Sequence, residues 1–85
     1  MDVSVIKKDY AKRITIPRRL MFGLDNVYVR AEGDRLVIST DGKGIMLKRK
    51  QDGRLTLSAR LSAPLDDTVI AVRKNNTIII KNLEI

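Results

Sequence analysis

Lys7–Leu24 reads KKDYAKRITIPRRLMFGL, and Lys48–Leu65 reads KRKQDGRLTLSARLSAPL. At an offset of 41 positions Arg13 meets Arg54, Thr15 meets Thr56, Leu20 meets Leu61 and Leu24 meets Leu65. Asp25 then meets Asp66. After one inserted residue, Thr68, Val27 meets Val69 and Leu36-Val37-Ile38 meets Ile78-Ile79-Ile80. Matches in order across both halves mark two copies of one unit, and a repeat decides the architecture before any single element does.

Each copy has the same grammar. Val3-Ser4-Val5-Ile6 and Ile45-Met46-Leu47 read as first strands. Arg13-Ile14-Thr15-Ile16 and Arg54-Leu55-Thr56-Leu57 alternate polar and apolar residues, as half-buried second strands do. A short helical turn follows. In the first copy Pro17 suits the first helical position and Gly23 the left-handed C-terminal one. In the second, Ser58 caps with its hydroxyl and Pro64 stops the helix. Val27–Arg30 and Arg35–Ile38 then flank a turn at Glu32-Gly33-Asp34, and Val69–Val72 and Thr77–Ile80 flank Lys74-Asn75-Asn76. Gly, Asn and Asp tolerate the positive φ of hairpin turns. The reading is β-β-α-β-β twice: one domain over 1–85, with repeats 1–40 and 45–85 and a flexible joint, 41–44, between them. A unit of ~40 residues buries too little apolar surface to offset its chain entropy. Two copies exchanging hairpins into one closed β-barrel would remedy this and remove open edges.

With 44% hydrophobic and 32% charged residues, the chain is too apolar for a disordered tail. It contains no Cys and no His, which excludes disulfides, thiolate metal sites and the commonest general base. Ser58 has no accompanying base, so capping is its expected role and no enzyme or cofactor is expected. Asp25, Asp66 and Asp67 precede strands in ordinary turn positions. No apolar run reaches the ~18 residues of a membrane span, and the N-terminus does not read as a signal peptide. A soluble, cytoplasmic protein is expected, and its Ile- and Lys-rich makeup suits an archaeal, viral or plasmid source.

Seventeen Lys and Arg against ten Asp and Glu give a net charge of +7. Such a domain is drawn to polyanions, most often nucleic acid and less often anionic membrane. The alternative is a solvated Lys-rich surface, as thermophiles carry. Position separates the two. Lys7, Lys8, Lys12, Arg13, Arg18 and Arg19, then Lys48, Arg49, Lys50, Arg54 and Arg60, fall in the two matching strand–loop–helix segments, with only Asp9 and Asp52 among them. A solvated surface mixes signs more evenly.

The run Asp9-Tyr10-Ala11-Lys12-Arg13-Ile14-Thr15-Ile16-Pro17-Arg18-Arg19-Leu20, followed by Gly23-Leu24 and a Val-rich hairpin, resembles the AbrB/SpoVT swapped-hairpin family. The usual motif there is Asp-x-x-Gly-Arg-hydrophobic-x-hydrophobic-Pro, then a short helix and Gly-hydrophobic. Two units in one chain are similar to the MraZ-like arrangement. The resemblance implies a mainly β, swapped-hairpin barrel acting as a pseudo-dimer, and a nucleoid-associated transcription regulator that binds double-stranded DNA. It also admits the DNA-binding half of an antitoxin, although the long acidic tail of such proteins does not follow Lys81-Asn82-Leu83-Glu84-Ile85. A non-specific architectural DNA-binding barrel is the third reading, and pairing of two such chains through edge strands stays open.

Carried over by position, the family's DNA-facing loop maps on Lys7, Lys12 and Arg13, and on Lys48, Gly53 and Arg54. The chain departs from the motif at Lys12, where Gly is usual, at Lys50, where Asp is usual, and at Ser58, where Pro is usual. Met21 and Phe22 stand where a basic pair is usual, and Arg18-Arg19 lies three residues earlier. In the family the motif's Arg often pairs with the Asp four residues before it and fixes the loop. Asp9 can do so for Arg13, which leaves Arg13 open to a structural or a DNA-reading role, whereas Lys50 cannot for Arg54, so Arg54 is expected to face DNA. Arg18, Arg19, Arg54 and Arg60 are assigned base reading and the lysines phosphate positioning. Tyr10 is expected to cover the barrel end, with stacking on a sugar or base as the alternative.

Overall fold

The computed structural model describes residues 2–83; Met1, Glu84 and Ile85, at the outer limits of repeats 1–40 and 45–85, lie outside the described residues. The order is β1 (Asp2–Lys7), β2 (Ile14–Ile16), a 3₁₀ turn (Arg18–Leu20), β3 (Asn26–Glu32) and β4 (Arg35–Ser39). Then come β5 (Ile45–Lys48), β6 (Leu55–Leu57), α1 (Ala59–Ser62), β7 (Thr68–Lys74) and β8 (Thr77–Asn82). The architecture is mainly β, and the element order repeats as the sequence does.

Local chemistry explains the elements. In β2 and β6 the apolar residues Ile14, Ile16, Leu55 and Leu57 are buried while Thr15 and Thr56 face outward, which is the period-2 pattern of a one-sided strand. The two hairpins turn at Gly33, φ +64°, and Asn75, φ +55°. Gly23 follows the 3₁₀ turn at φ +80°. Ser58 Oγ accepts from Leu61 N at 3.2 Å and caps α1. Pro17 differs slightly from expectation. It precedes the helical turn, and its carbonyl accepts from Leu20 N at 3.0 Å.

Six strands form one antiparallel sheet in the order β1-β7-β8-β4-β3-β5. Each repeat therefore gives its first strand to the other repeat's hairpin: β1 pairs with β7, and β5 pairs with β3. The hairpins join through β4 and β8. Exchanging repeat one for repeat two reverses the strand order and leaves it unchanged. The ladders agree. Thr15 lies opposite its own equivalent, Thr56, and Val37 lies opposite its equivalent, Ile79. A local two-fold axis thus passes through both pairs.

The expected closed barrel is not formed. β1 and β5 end the sheet at opposite edges, and β2 and β6 make a separate two-stranded ribbon. The reason lies in the preceding loops. Asp9 N donates to Arg13 O at 3.1 Å and Lys12 N to Asp9 O at 2.9 Å, turning the chain out of the sheet before β2 begins. Lys50 N to Arg54 O at 2.8 Å and Gly53 N to Lys50 O at 2.9 Å do the same before β6. The two short strands then satisfy each other, and their four buried side chains join Val27, Val29, Ile38, Val69, Ile78 and Ile80 in one core.

The joint, expected to be flexible, carries hydrogen bonds of its own. Arg30 Nη1 donates to Asp41 Oδ2 at 2.9 Å, its Nε donates to Glu32 Oε2 at 2.7 Å, and Lys43 N donates to Asp41 Oδ1 at 2.9 Å. Gly44 closes the joint at φ +123°, where a Cβ would run into the Val29 carbonyl. The equivalent loop residues Lys12 and Gly53 both adopt left-handed backbone, at φ +64° and +91°. Lys12 carries the steric cost of a side chain there, and Gly53 does not.

Two substitutions check this account by denaturant unfolding. Gly44→Ala is expected to destabilise by about 2 kcal/mol or more, through backbone clash and strain. Lys12→Gly is expected to stabilise by up to about 1 kcal/mol, the left-handed penalty less the added freedom of glycine in the unfolded chain.

Candidate nucleic-acid interface

The outward face of the β2–β6 ribbon gathers charge on the local axis. Arg13, Thr15, Lys50, Asp52, Arg54 and Thr56 line one shallow cleft. Thr15 and Thr56 are the axial pair, and Arg13 and Arg54 are equivalents on either side of it. Arg18 adjoins Asp52 and Arg54 in a neighbouring recess. A Cβ on Gly53 would overlap the Arg18 side chain, so glycine there lets the second repeat's loop close against the first repeat's helical turn.

Both axial arginines are held by carboxylates. Arg13 donates its backbone N–H to Asp9 Oδ1 at 2.9 Å and its Nε to Asp9 Oδ2 at 3.0 Å. Arg54 donates its backbone N–H to Asp52 Oδ1 at 3.0 Å and its Nε to Asp52 Oδ2 at 2.9 Å. The expectation that Arg54 lacks an acid is therefore corrected. Asp52, two residues before it, replaces the acid four residues before, because the tight loop brings either position beneath the arginine. Each carboxylate takes one edge of a guanidinium, and both side chains stay about half exposed. Such an arrangement orients the fork while leaving donors for an external acceptor.

The same contacts hold both carboxyl groups below the usual aspartate range. For Asp9 the backbone N–H of Arg13 is the main cause, with its guanidinium adding to it. For Asp52 the Arg54 backbone N–H leads, then its side chain, with Lys50 contributing. Asp41 is lowered chiefly by the Lys43 N–H.

The remaining cations do not converge on this cleft. Lys8 Nζ donates to Leu65 O at 2.6 Å and ties the first loop to the second repeat. Lys12 Nζ pairs with Asp67 at 3.2 Å. Arg19 turns away, donating to Val3 O at 2.8 Å, and lines a hollow with Asp2, Phe22, Arg73 and Asn75. Lys7 and Lys48 end the edge strands β1 and β5. Arg49 follows β5, its backbone N–H bound to Asp25 O at 2.8 Å, and Arg60 is exposed on α1. Of the eleven sequence-assigned cations, the cleft and its recess unite Arg13, Arg18, Lys50 and Arg54. Tyr10 covers nothing: it is 96% exposed, since its loop projects beyond the ribbon.

Sequence reasoning missed the axial threonines as cleft residues, although their matched positions in the repeat were the available signal. It also missed Arg73, whose Nη1 donates to Leu20 O at 3.0 Å and to Phe22 O, latching the 3₁₀ turn to β7. Met21 is fully buried, and its equivalent Ser62 places its hydroxyl 2.9 Å from Lys12 O and 2.8 Å from Ser58 O. Among the described residues no His, Cys, Asp or Glu cluster is arranged to hold a metal ion, and no helix is long and apolar enough to cross a membrane. No protein-family model matches the sequence, and neither does any curated protein.

Because the folded-state values of Asp9, Asp41 and Asp52 are lowered, their contribution is fully present above the ordinary aspartate pKa of about 4 and is lost as pH falls through the lowered values. Melting temperature should therefore drop between about pH 5 and pH 2. Asp9→Asn and Asp52→Asn are each expected to flatten that drop in a pH series of thermal melts.

Proposed function

We propose that this chain binds double-stranded DNA as a transcription regulator of the AbrB/SpoVT swapped-hairpin kind, with the β2–β6 ribbon and its flanking loops against the duplex. The observation that carries the proposal is the pair Arg13 and Arg54, each buttressed by an aspartate and disposed across a local two-fold axis. A duplex has dyads of its own, and a two-fold protein surface meets it by aligning the two axes.

The chemistry supports the reading. A guanidinium fork matches guanine O6 and N7 or two phosphate oxygens. An aspartate that fixes the fork lowers the entropy lost when it engages. Thr15 and Thr56, between the arginines, offer hydroxyls to phosphate and methyls to thymine. Lys50 and Arg18 extend the positive surface to one flank. The exchange of first strands between repeats supports the family resemblance by topology.

Affinity for duplex, measured by fluorescence anisotropy, is expected to fall ~10³–10⁵-fold between ~50 and ~200 mM salt if about 6–10 phosphates are neutralised. A flat response rejects the proposal. Arg54→Ala is expected to weaken binding to a selected duplex by about tenfold to a hundredfold, the loss of one bidentate contact. Arg54→Lys restores little of it, because a point charge does not replace the fork. Thermal melts of both variants separate lost contacts from lost structure.

A further inference from the structure

Although the backbone obeys the local two-fold, the side chains around the cleft do not. Lys50 stands at the position equivalent to Asp9, Gly53 at that of Lys12, and Ala59 at that of Arg18. The antiparallel ribbon places each repeat's helical turn beside the other repeat's loop. On one flank, Gly53 lies against Arg18, which shares a recess with Asp52 and Arg54, and Lys50 adjoins in the cleft. On the other, Ser62 of α1 bonds Lys12 O, Lys12 pairs with Asp67, and Asp9 holds Arg13.

The two flanks thus present different chemistry. The first carries Arg18, Lys50 and Arg54 against one acid, Asp52. The second carries Lys12 and Arg13, each paired with an acid, Asp67 and Asp9. Lys12 is tethered by its nearest carboxylate, whereas neither Arg18 nor Lys50 has a side-chain acceptor among the described residues.

We infer that the cleft recognises an asymmetric duplex site, two unlike half-sites about a dyad, and so holds DNA in one fixed orientation. This rests on the DNA-binding reading and goes beyond it. A symmetric dimer turned by half a revolution presents the same surface, so it has no preferred direction on a palindrome. Here the same turn exchanges Arg18 and Lys50 for Ala59 and Asp9. One orientation aligns three cations with the phosphates and base edges of a given half-site. The reverse orientation puts Lys12 and Arg13 there, each already paired with a carboxylate.

Because the chain has no cysteine, a single introduced thiol is a unique label. Tyr10→Cys and Gln51→Cys occupy equivalent, exposed positions outside the cleft. Each is coupled to an iron chelate that cuts DNA locally, on end-labelled duplex selected from a random pool at moderate salt. Unlike half-sites in the selected consensus are expected. Each label should cut one half at least about tenfold more than the other, with the two labels cutting opposite halves, a bias that one unshared bidentate contact supplies. Either label alone decides the orientation if the other variant fails to fold. A consensus of two identical inverted half-sites, or equal cutting of both halves, overturns the inference and leaves DNA binding intact. Binding to any duplex without enrichment overturns it as well. Absence of binding at any salt removes this inference and the functional proposal together.

Discussion

The structure depends on the reciprocal gift of a first strand. β1 completes the edge of the second repeat's hairpin, and β5 completes that of the first. Neither hairpin alone has a partner for its outer edge or a cover for its apolar inner face. A lone two-stranded hairpin is marginal in water at best. Once the strands are exchanged, the β4–β8 seam becomes the centre of a six-stranded sheet rather than a contact between two subdomains. The buried residues Leu36 and Ile38 face the same interior as Ile78 and Ile80, so no boundary divides the core. Unfolding one repeat alone would strip four ladders from the other, β1–β7, β2–β6, β3–β5 and β4–β8, which predicts a single cooperative unit.

The same exchange positions the charged cleft. With the sheet fixed, the only room for β2 and β6 is over its inner face, where they meet on the axis and seal the core with Ile14, Ile16, Leu55 and Leu57. The polar positions of these strands must then point away from the core. Thr15 and Thr56 come together there because they are equivalents on the axis, and Arg13 and Arg54 because each precedes its strand. Burial of the isoleucines and leucines is therefore what brings two like charges to one cleft. Asp9 and Asp52 relieve that repulsion without removing the guanidinium donors.

The elements were legible because their signals are local. Alternation in Ile14–Ile16 and Leu55–Leu57, the Gly33 and Asn75 turns and the Ser58 cap each depend on residues a few positions apart. The Asp9–Arg13 pair was expected from the motif that the chain resembles, which sets an acid four residues before that arginine. Closure was not legible. Whether a sheet joins its edges depends on how far the Asp9–Lys12 and Lys50–Gly53 loops turn the chain, a geometric quantity that residue types constrain weakly. The Asp52–Arg54 pair escaped because a tight loop allows the acid at more than one spacing. Arg18 and Arg19 were assigned base reading as a pair, yet neighbours in a 3₁₀ turn diverge by about a third of a revolution. Arg18 reaches the recess, and Arg19 reaches β1.

Joining the two units in one chain has a further physical consequence. In a homodimer, any residue at the Gly53 position would face the partner copy's equivalent of Arg18 in both halves, so the pair must fit twice. Here Gly53 meets Arg18 in one half, and the equivalent positions in the other hold Lys12 and Ala59. Lysine in the left-handed loop and the long arginine stem thus occur in opposite halves. A Cβ at Gly53 would collide with that stem, so placing both large residues in one half is sterically disfavoured. The covalent joint also holds the halves at high effective concentration, which weak self-association does not supply. Divergence at the cleft is then compatible with pairing, since the ladders and buried core, not the cleft residues, hold the halves together. The scaffold keeps its two-fold symmetry because packing requires it, and the surface is released from that symmetry because packing does not.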